Sequence, residues 1–195
     1  MMYNNTMDRG YYFYSPINII NKMRSLWEEH SFWTREYIIS AVDELDDIQP
    51  VTNRLLRNPT DFGNALEPFY GQAAREFEKL LREHLLIAAQ LVEDAKKGDT
   101  SAAEKTRAEW YQNADQISAL LASLNPYWSY NEWKNLYNMH LRMVEDEATK
   151  RLTGQYADEI TVFDNLEKQA REMADVMSRG IINQYKLYDN MITNY

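Results

Sequence analysis

The sequence of 195 residues contains no cysteine, few glycines and prolines, and no long apolar run. The absence of cysteine excludes disulfides, thiolate metal ligands and cysteine nucleophiles. Six glycines and five prolines leave few positions that would interrupt a helix, so long helices are expected. No stretch of about 18 apolar residues is present, so a transmembrane helix is not predicted. Glycine-rich phosphate loops and the GxSxG nucleophile motif are also missing.

Positive charge is scarce relative to negative charge: 21 Lys and Arg face 30 Asp and Glu, for a formal net charge of −9. Because phosphate groups are bound by basic surfaces, this balance argues against a nucleic-acid partner and against docking on an anionic membrane. The first residues, MMYNNTMDRGYYFYSP, lack the basic start and apolar block of a secretory signal. A cytoplasmic location is therefore the default expectation.

Apolar residues recur at spacings of three and four along most of the chain, which predicts amphipathic helices. We expect an all-α fold, a single antiparallel helical bundle over residues 16–195 preceded by an irregular N-terminal arm over residues 1–15. The pattern predicts about five long helices and one short helix ended by Asn58-Pro59. The predicted long helices cover approximately residues 17–47, 73–97, 100–124, 129–154 and 156–187. The segment TDFGNALEPFYG, between the short helix and the long helix over residues 73–97, is expected to be a loop with at most one helical turn.

The chain has three histidines, His30, His84 and His140, each on the apolar stripe of a different predicted helix. A shift of 54 residues superposes His30 on His84, and a shift of 56 superposes His84 on His140 and Gly98 on Gly154. This offset favours two similar helical hairpins with a degenerate third copy near the N-terminus. Chance alignment of amphipathic helices that happen to be in phase would give a similar match.

Stripes of neighbouring helices converge inside a bundle, so the three histidines could meet in one layer. Three imidazoles plus water form an open site for a divalent metal ion such as zinc, iron or nickel. Glu147, on the same stripe as His140, is the leading candidate for a fourth ligand. Asn113 and Glu167 are the other candidate ligands, and Tyr37 and Tyr137 are candidate hydrogen-bond partners of the ligands.

Two alternatives to a metal site remain open at this point. The histidines could form a buried hydrogen-bonded cluster in a non-enzymatic structural or interaction protein, whose acidic, aromatic-rich surface and N-terminal arm contact a protein partner or a second copy. They could also be three unrelated core residues. Whether the protein is an enzyme, and which small molecule it would bind, does not follow from these residues.

Several phrases, LWEEHSFWTREYIIS, NRLLRNPTDFGNAL, REHLLIAAQLV, WYQNADQISALLASLNPYW and MHLRMVEDEATKRL, resemble an uncharacterised family of small helical bacterial proteins over approximately residues 24–186. Some members are labelled acetylglutamate kinase, but that kinase class is an α/β fold with glycine-rich phosphate loops, which this sequence lacks. One histidine on each of several helices also resembles the metal-binding bundles of the DinB-like and ferritin-like type. That resemblance implies metal ligation by His30, His84 and His140, although the Glu-x-x-His pairs of di-iron bundles are absent.

Overall fold

The computed structural model describes residues 15–187, and this part of the chain contains seven α-helices and no β-strand. The helices are α1 (Pro16–Val42), α2 (Ile48–Leu55), α3 (Asn58–Tyr70), α4 (Gln72–Lys96), α5 (Thr100–Leu124), α6 (Tyr130–Leu152) and α7 (Tyr156–Gln184). The predicted all-α antiparallel bundle is confirmed. The predicted N-terminal arm lies outside the described residues except for Ser15.

Short side chains and glycines fix where the helices begin and end. The side chains of Ser15, Asp99 and Ser129 each accept a hydrogen bond from the backbone N–H three residues later, which satisfies a free donor of the first turn. Gly98 and Gly154 follow α4 and α6 with φ of 69° and 70°, the left-handed conformation that closes a helix end. Tight turns at these glycines make consecutive helices antiparallel.

Two predicted boundaries were wrong. The segment expected to be a loop is the helix α3, which buries Phe62 and Leu66. Asn58-Pro59 starts this helix instead of only ending the previous one, because a proline in the first helical turn loses no intrahelical hydrogen bond. The first long helix also ends earlier than expected, at Val42, and Glu44 adopts a positive φ of 56° in the turn that follows.

The helices form a closed arrangement in which each packs on its neighbours. α1 packs against α7, α3 against α4, α4 against α5, α5 against α6, and α6 against α7. α1 also contacts α3, α4 and α6, so the helices that carry the histidines, α1, α4 and α6, face one another. Large aromatic side chains fill the core between the helices: Trp27, Phe62, Phe77, Trp133 and Tyr137 are fully buried. No helix between residues 15 and 187 is long and apolar enough to cross a membrane.

Candidate functional site

The three histidines meet in one layer at the centre of the bundle. The ring centre of His30 lies 5.6 Å from that of His140 and 6.5 Å from that of His84. Each side chain is almost completely buried, with 1–2% of its surface exposed. Trp27 packs edge-on against His30 and His140, and Trp110 packs against His84 at 5.2 Å. We call His30, His84 and His140 the three-histidine cluster.

The same hydrogen-bond arrangement recurs at each histidine. The ring Nδ1 lies within hydrogen-bond distance of a side-chain amide oxygen on the following hairpin helix, and the amide NH2 donates to the carbonyl of the residue four before the histidine. The triplets are His30–Asn58–Leu26, His84–Asn113–Leu80 and His140–Gln169–Leu136, with Nδ1···O distances of 3.1, 2.9 and 3.1 Å and N–H···O=C distances of 2.9, 3.1 and 3.0 Å. Each triplet therefore ties a histidine helix to the neighbouring α3, α5 or α7.

These bonds define the proton position on each ring. The backbone carbonyl can only accept, so the amide must present its NH2 to the carbonyl and its oxygen to the imidazole. An amide oxygen can also only accept, so Nδ1 of a neutral histidine must carry the proton. The lone pair of each neutral ring is therefore on Nε2, the atom not engaged by the amide.

We expect nuclear magnetic resonance of the metal-free protein at pH 7 to show this tautomer at all three histidines. Two-bond 1H–15N correlation spectra should give a protonated Nδ1 and a pyridine-type Nε2 for His30, His84 and His140, because the three amides fix the same proton position. In Asn113→Leu, only the His84 signals should change toward a mixed tautomer. An Nε2-protonated ring at any of the three in the unsubstituted protein would contradict the assignment.

Burial keeps these rings neutral. Desolvation lowers the pKa of His30 to about 4 and that of His140 to about 3, and the hydrogen bonds that the rings donate to Asn58 and Gln169 offset only part of this effect. Desolvation, together with the neighbouring His30 and His140, holds the pKa of His84 well below its usual value. Among the described residues, no carboxylate contributes to raising the pKa of these three rings, so the positive charge of a protonated ring would be uncompensated.

Several polar atoms of this region have no hydrogen-bond partner within the described residues. They include Nε2 of His84, the hydroxyl of Tyr137 and the indole N–H groups of Trp27 and Trp110, all buried. The rings of Tyr137 and Trp110 both contact His84. Buried polar atoms are nearly always paired in native proteins, so this concentration around one side chain points to a bound species or ordered solvent there.

The histidine rings are slightly farther apart than in a loaded metal site. Imidazoles that share one tetrahedral ion at about 2.1 Å have ring centres about 5 Å apart, whereas the measured separations are 5.6 and 6.5 Å. Within residues 15–187, no group of three or more His, Asp or Glu side chains is arranged closely enough to hold an ion as it stands. Binding of one ion by all three rings would therefore require them to move closer together.

Comparison with known proteins identifies no relative. No family model matches the chain, no curated protein matches it, and no solved structure matches it. The site is therefore interpreted from its own geometry, and the resemblance to a bacterial family of helical proteins stays a prediction.

Glu147 lies away from the three-histidine cluster. It is seven residues beyond His140 on α6, about 10 Å along the helix axis. Its Oε1 accepts a hydrogen bond of 2.9 Å from Arg35, and Arg35 also contacts Glu159 at 2.8 Å. Arg151 contacts Glu159 at 3.3 Å and also pairs with Asp43. We call these five residues the buried ion cluster.

Burial raises the pKa of Glu147. Its side chain is 1% exposed, and its Oε2 has no hydrogen-bond partner among the described residues. Desolvation raises its pKa to about 7, against the opposing effect of Arg35 and with a further increase from the nearby Glu159. Glu147 is thus poised between its neutral and ionised forms near neutral pH, and its charge is compensated by Arg35.

The other candidate site residues have separate positions. Asn113 bonds to His84 Nδ1 and to the Leu80 carbonyl, so it orients the ring. Tyr137 packs against His84, whereas Glu167 is partly exposed and pairs with Arg171 at the surface. Tyr37 lines a cavity farther along the axis.

Asn58 and Gln169 were not predicted as histidine partners. Their spacing carries a signal that could have found them, because 55 residues separate Asn58 from Asn113 and 56 separate Asn113 from Gln169. The histidine offsets are 54 and 56, so the two sets agree to within one residue. Asn58 escaped notice because it was assigned to the end of a helix and its neighbours to a loop.

Proposed function

We propose that the three-histidine cluster binds one divalent metal ion through the Nε2 atoms of His30, His84 and His140. The observation that carries this proposal is the repeated amide contact, which places the proton of all three converging rings on Nδ1. Metal-binding histidines typically donate their second ring nitrogen to an oxygen acceptor that fixes ring orientation and tautomer. The unpartnered Nε2 of His84 supports the same assignment.

The chemistry of the donors favours zinc, iron or nickel, which neutral imidazoles bind well. An ion held by three imidazoles keeps an open position, where it can act as a Lewis acid on water or a small ligand. The chain's own contribution is to orient the rings through Asn58, Asn113 and Gln169 and to surround them with aromatic groups that exclude bulk water. Glu147 would have to leave Arg35 to reach such an ion, so the proposal assigns the protein ligands to the histidines alone.

We also infer that the chain contains an internal repeat of three helical hairpins. The three histidine–amide–carbonyl triplets, which recur at nearly equal offsets, support this inference.

A bacterial, cytoplasmic protein of the resembled helical family is consistent with the sequence, and the charge of −9 disfavours nucleic acid and anionic membrane as partners. A second copy of the chain or another protein remains the expected kind of macromolecular partner.

A second candidate function is a non-enzymatic structural or interaction bundle. The three triplets support it, because each one joins two helices. In each triplet the histidine Nδ1–H bonds to the amide oxygen, and the amide NH2 bonds to a backbone carbonyl. Buried polar contacts of this kind can fix helix register without any ligand. The ring separations, which exceed those of a loaded site, also favour it.

Metal titration distinguishes the two functions. The protein, purified without a histidine tag and stripped with chelator, is titrated with Zn2+ in a calorimeter and with Co2+ in a spectrophotometer. We expect one equivalent to bind, with the visible bands of tetrahedral Co2+. His84→Gln and His30→Gln, which keep a polar side chain in the core, should each weaken binding at least tenfold.

The matched control is Trp110→Phe, which changes a ring beside His84 but removes no imidazole. It should retain stoichiometric binding, and circular dichroism should show every variant helical before titration. Absence of binding by the folded unsubstituted protein would overturn the metal site and leave the structural function. Binding that survives in the folded double variant His30→Gln/His84→Gln would place the ion elsewhere.

A further inference from the structure

A cavity lies directly beyond the three-histidine cluster on the central axis of the bundle. Its volume is about 90 Å³, and α1, α4, α5 and α6 supply most of its walls. Thr34, Ala88 and Val144 line it, and each is four residues, one helical turn, beyond a histidine. Ile38, Val92 and Ala148 line it one turn farther. The repeated helices thus build a layer of imidazoles and then a largely apolar chamber.

Small side chains keep this chamber open. Five alanines line it: Ala88, Ala89, Ala95, Ala103 and Ala148. Ala148 is buried, Ala88, Ala89 and Ala103 are half-buried, and Ala95 is exposed, so the cavity opens to solvent on one side.

Two buried polar atoms on lining residues have no hydrogen-bond partner between residues 15 and 187. Thr34 is 7% exposed and its hydroxyl is unbonded, and Trp110 is 2% exposed and its indole N–H is unbonded. Other helical hydroxyls behave differently, since those of Ser31 and Ser118 donate to the carbonyl four residues earlier. Thr34 therefore offers both a donor and an acceptor, and Trp110 offers a donor, to an occupant of the cavity.

Charge at the cavity is balanced. Among the lining residues only Arg107 and Glu145 are charged, and they pair with each other at 3.1 Å. The Arg107 side chain is 53% exposed, which places this pair toward solvent. An ionic occupant would find no unpaired charge in the lining, so the cavity favours an uncharged molecule.

We propose that this cavity binds a small neutral aliphatic alcohol or carbonyl compound. The apolar walls take the hydrocarbon part, and Thr34 and Trp110 hydrogen-bond the single oxygen. An apolar cavity of about 150 Å³ accommodates benzene, which has six non-hydrogen atoms, so by the same ratio 90 Å³ fits about four non-hydrogen atoms. The expected affinity for so small a ligand is about millimolar. The proposal does not depend on the metal site.

The test uses 1-butanol as the probe and the Trp110 indole signal as the reporter. In 1H–15N spectra, with this signal assigned through Trp110→Phe, we expect a saturable shift on titration with 1-butanol. Butyrate and butylammonium, which have the same carbon chain with a charge, should produce no saturable shift at the same concentrations. A stronger saturable response to either ion would overturn the proposed neutral ligand.

Cavity variants locate the binding site. Ala88→Leu fills the chamber and should abolish the 1-butanol shift, and Ala148→Leu serves as an independent filling variant. Ala108→Leu is the matched control because Ala108 is exposed on α5, and it should bind like the unsubstituted protein. Thr34→Val keeps the shape without the hydroxyl and should weaken binding about three- to tenfold. No saturable shift, or binding unchanged in the folded filling variants, would refute the proposal.

Discussion

Lowering the pH from 7 to 4 is expected to unfold the metal-free protein. His30, His84 and His140 stay neutral in the folded state because burial holds their pKa values far below the usual 6.5. The same residues take up protons in the unfolded chain as the pH falls below 6.5. The unfolded state therefore binds more protons in this range, and the free energy of unfolding falls with decreasing pH.

The size of the effect follows from the pKa values. At pH 5 each histidine removes about 2 kcal/mol of folding free energy relative to pH 7, or about 6 kcal/mol for the three. Glu147 acts in the opposite direction, since its raised pKa of about 7 lets the folded state bind a proton first. Uptake of this proton increases the free energy of unfolding by about 2 kcal/mol at pH 5 relative to pH 7. The net loss of about 4 kcal/mol is a large part of the 5–15 kcal/mol that typically stabilises a domain.

Urea unfolding in the presence of chelator at pH 7, 6 and 5 measures this dependence. Between pH 4.5 and 6.5 the slope should correspond to a net uptake of about two protons on unfolding. His140→Gln should reduce the uptake by about one proton, whereas Glu147→Gln should increase it by about one. A free energy of unfolding that stays constant from pH 7 to 5 would show that the histidines are not buried in their neutral form.

The convergence of the histidines was predictable because it depends on periodicity alone. Residues on the apolar stripe of a bundle helix must face the axis, and His30, His84 and His140 occupy such positions at nearly constant offsets along the chain. Helical hairpins of similar length then bring positions at similar offsets to the same height. The structure confirms this step in the ring distances of 5.6 and 6.5 Å.

The partners of these residues were not predictable in the same way. Asn58 is the first residue of α3, whereas Asn58-Pro59 was predicted only to end the preceding helix. With Asn58 placed at that helix end, its contact with His30 could not be inferred. Glu147 shares the stripe of His140, but its partner Arg35 comes from a helix 112 residues away. Which polar side chain on a neighbouring helix reaches it depends on rotamers and helix rotation that the apolar pattern leaves undetermined.

The three-histidine cluster and the buried ion cluster have different physical roles. In the three-histidine cluster, neutral rings are satisfied at Nδ1 by neutral amides, so burial costs little as long as no proton is added. In the buried ion cluster, the buried carboxylates Glu147 and Glu159 lie against Arg35, so their burial is tolerated only while their charge is compensated. Removal of one charge there should consequently have a larger effect than removal of one hydrogen bond at a histidine.

Arg35→Met is expected to destabilise the fold by about 3–5 kcal/mol at pH 8, since it leaves buried carboxylates without their compensating charge. Arg35 contacts Glu147 at 2.9 Å and Glu159 at 2.8 Å, and both carboxylates are 1% exposed. The loss should be smaller at pH 6, because Glu147, with a pKa of about 7, then takes up a proton in the folded state. Urea unfolding at the two pH values measures both quantities.

The matched control is Arg24→Met, which breaks the Arg24–Asp175 pair, whose side chains are 46% and 41% exposed. Because solvent screens this exposed pair, its loss should change the free energy of unfolding much less than Arg35→Met does. The double variant Arg35→Met/Glu147→Gln should recover part of the stability lost in Arg35→Met, because one of the uncompensated charges is removed with its partner. An Arg35→Met loss no larger than that of Arg24→Met would mean that Arg35 does not compensate a buried charge on Glu147 at pH 8. In that case Glu147 would not depend on Arg35, and the carboxylate would be free to serve another ligand.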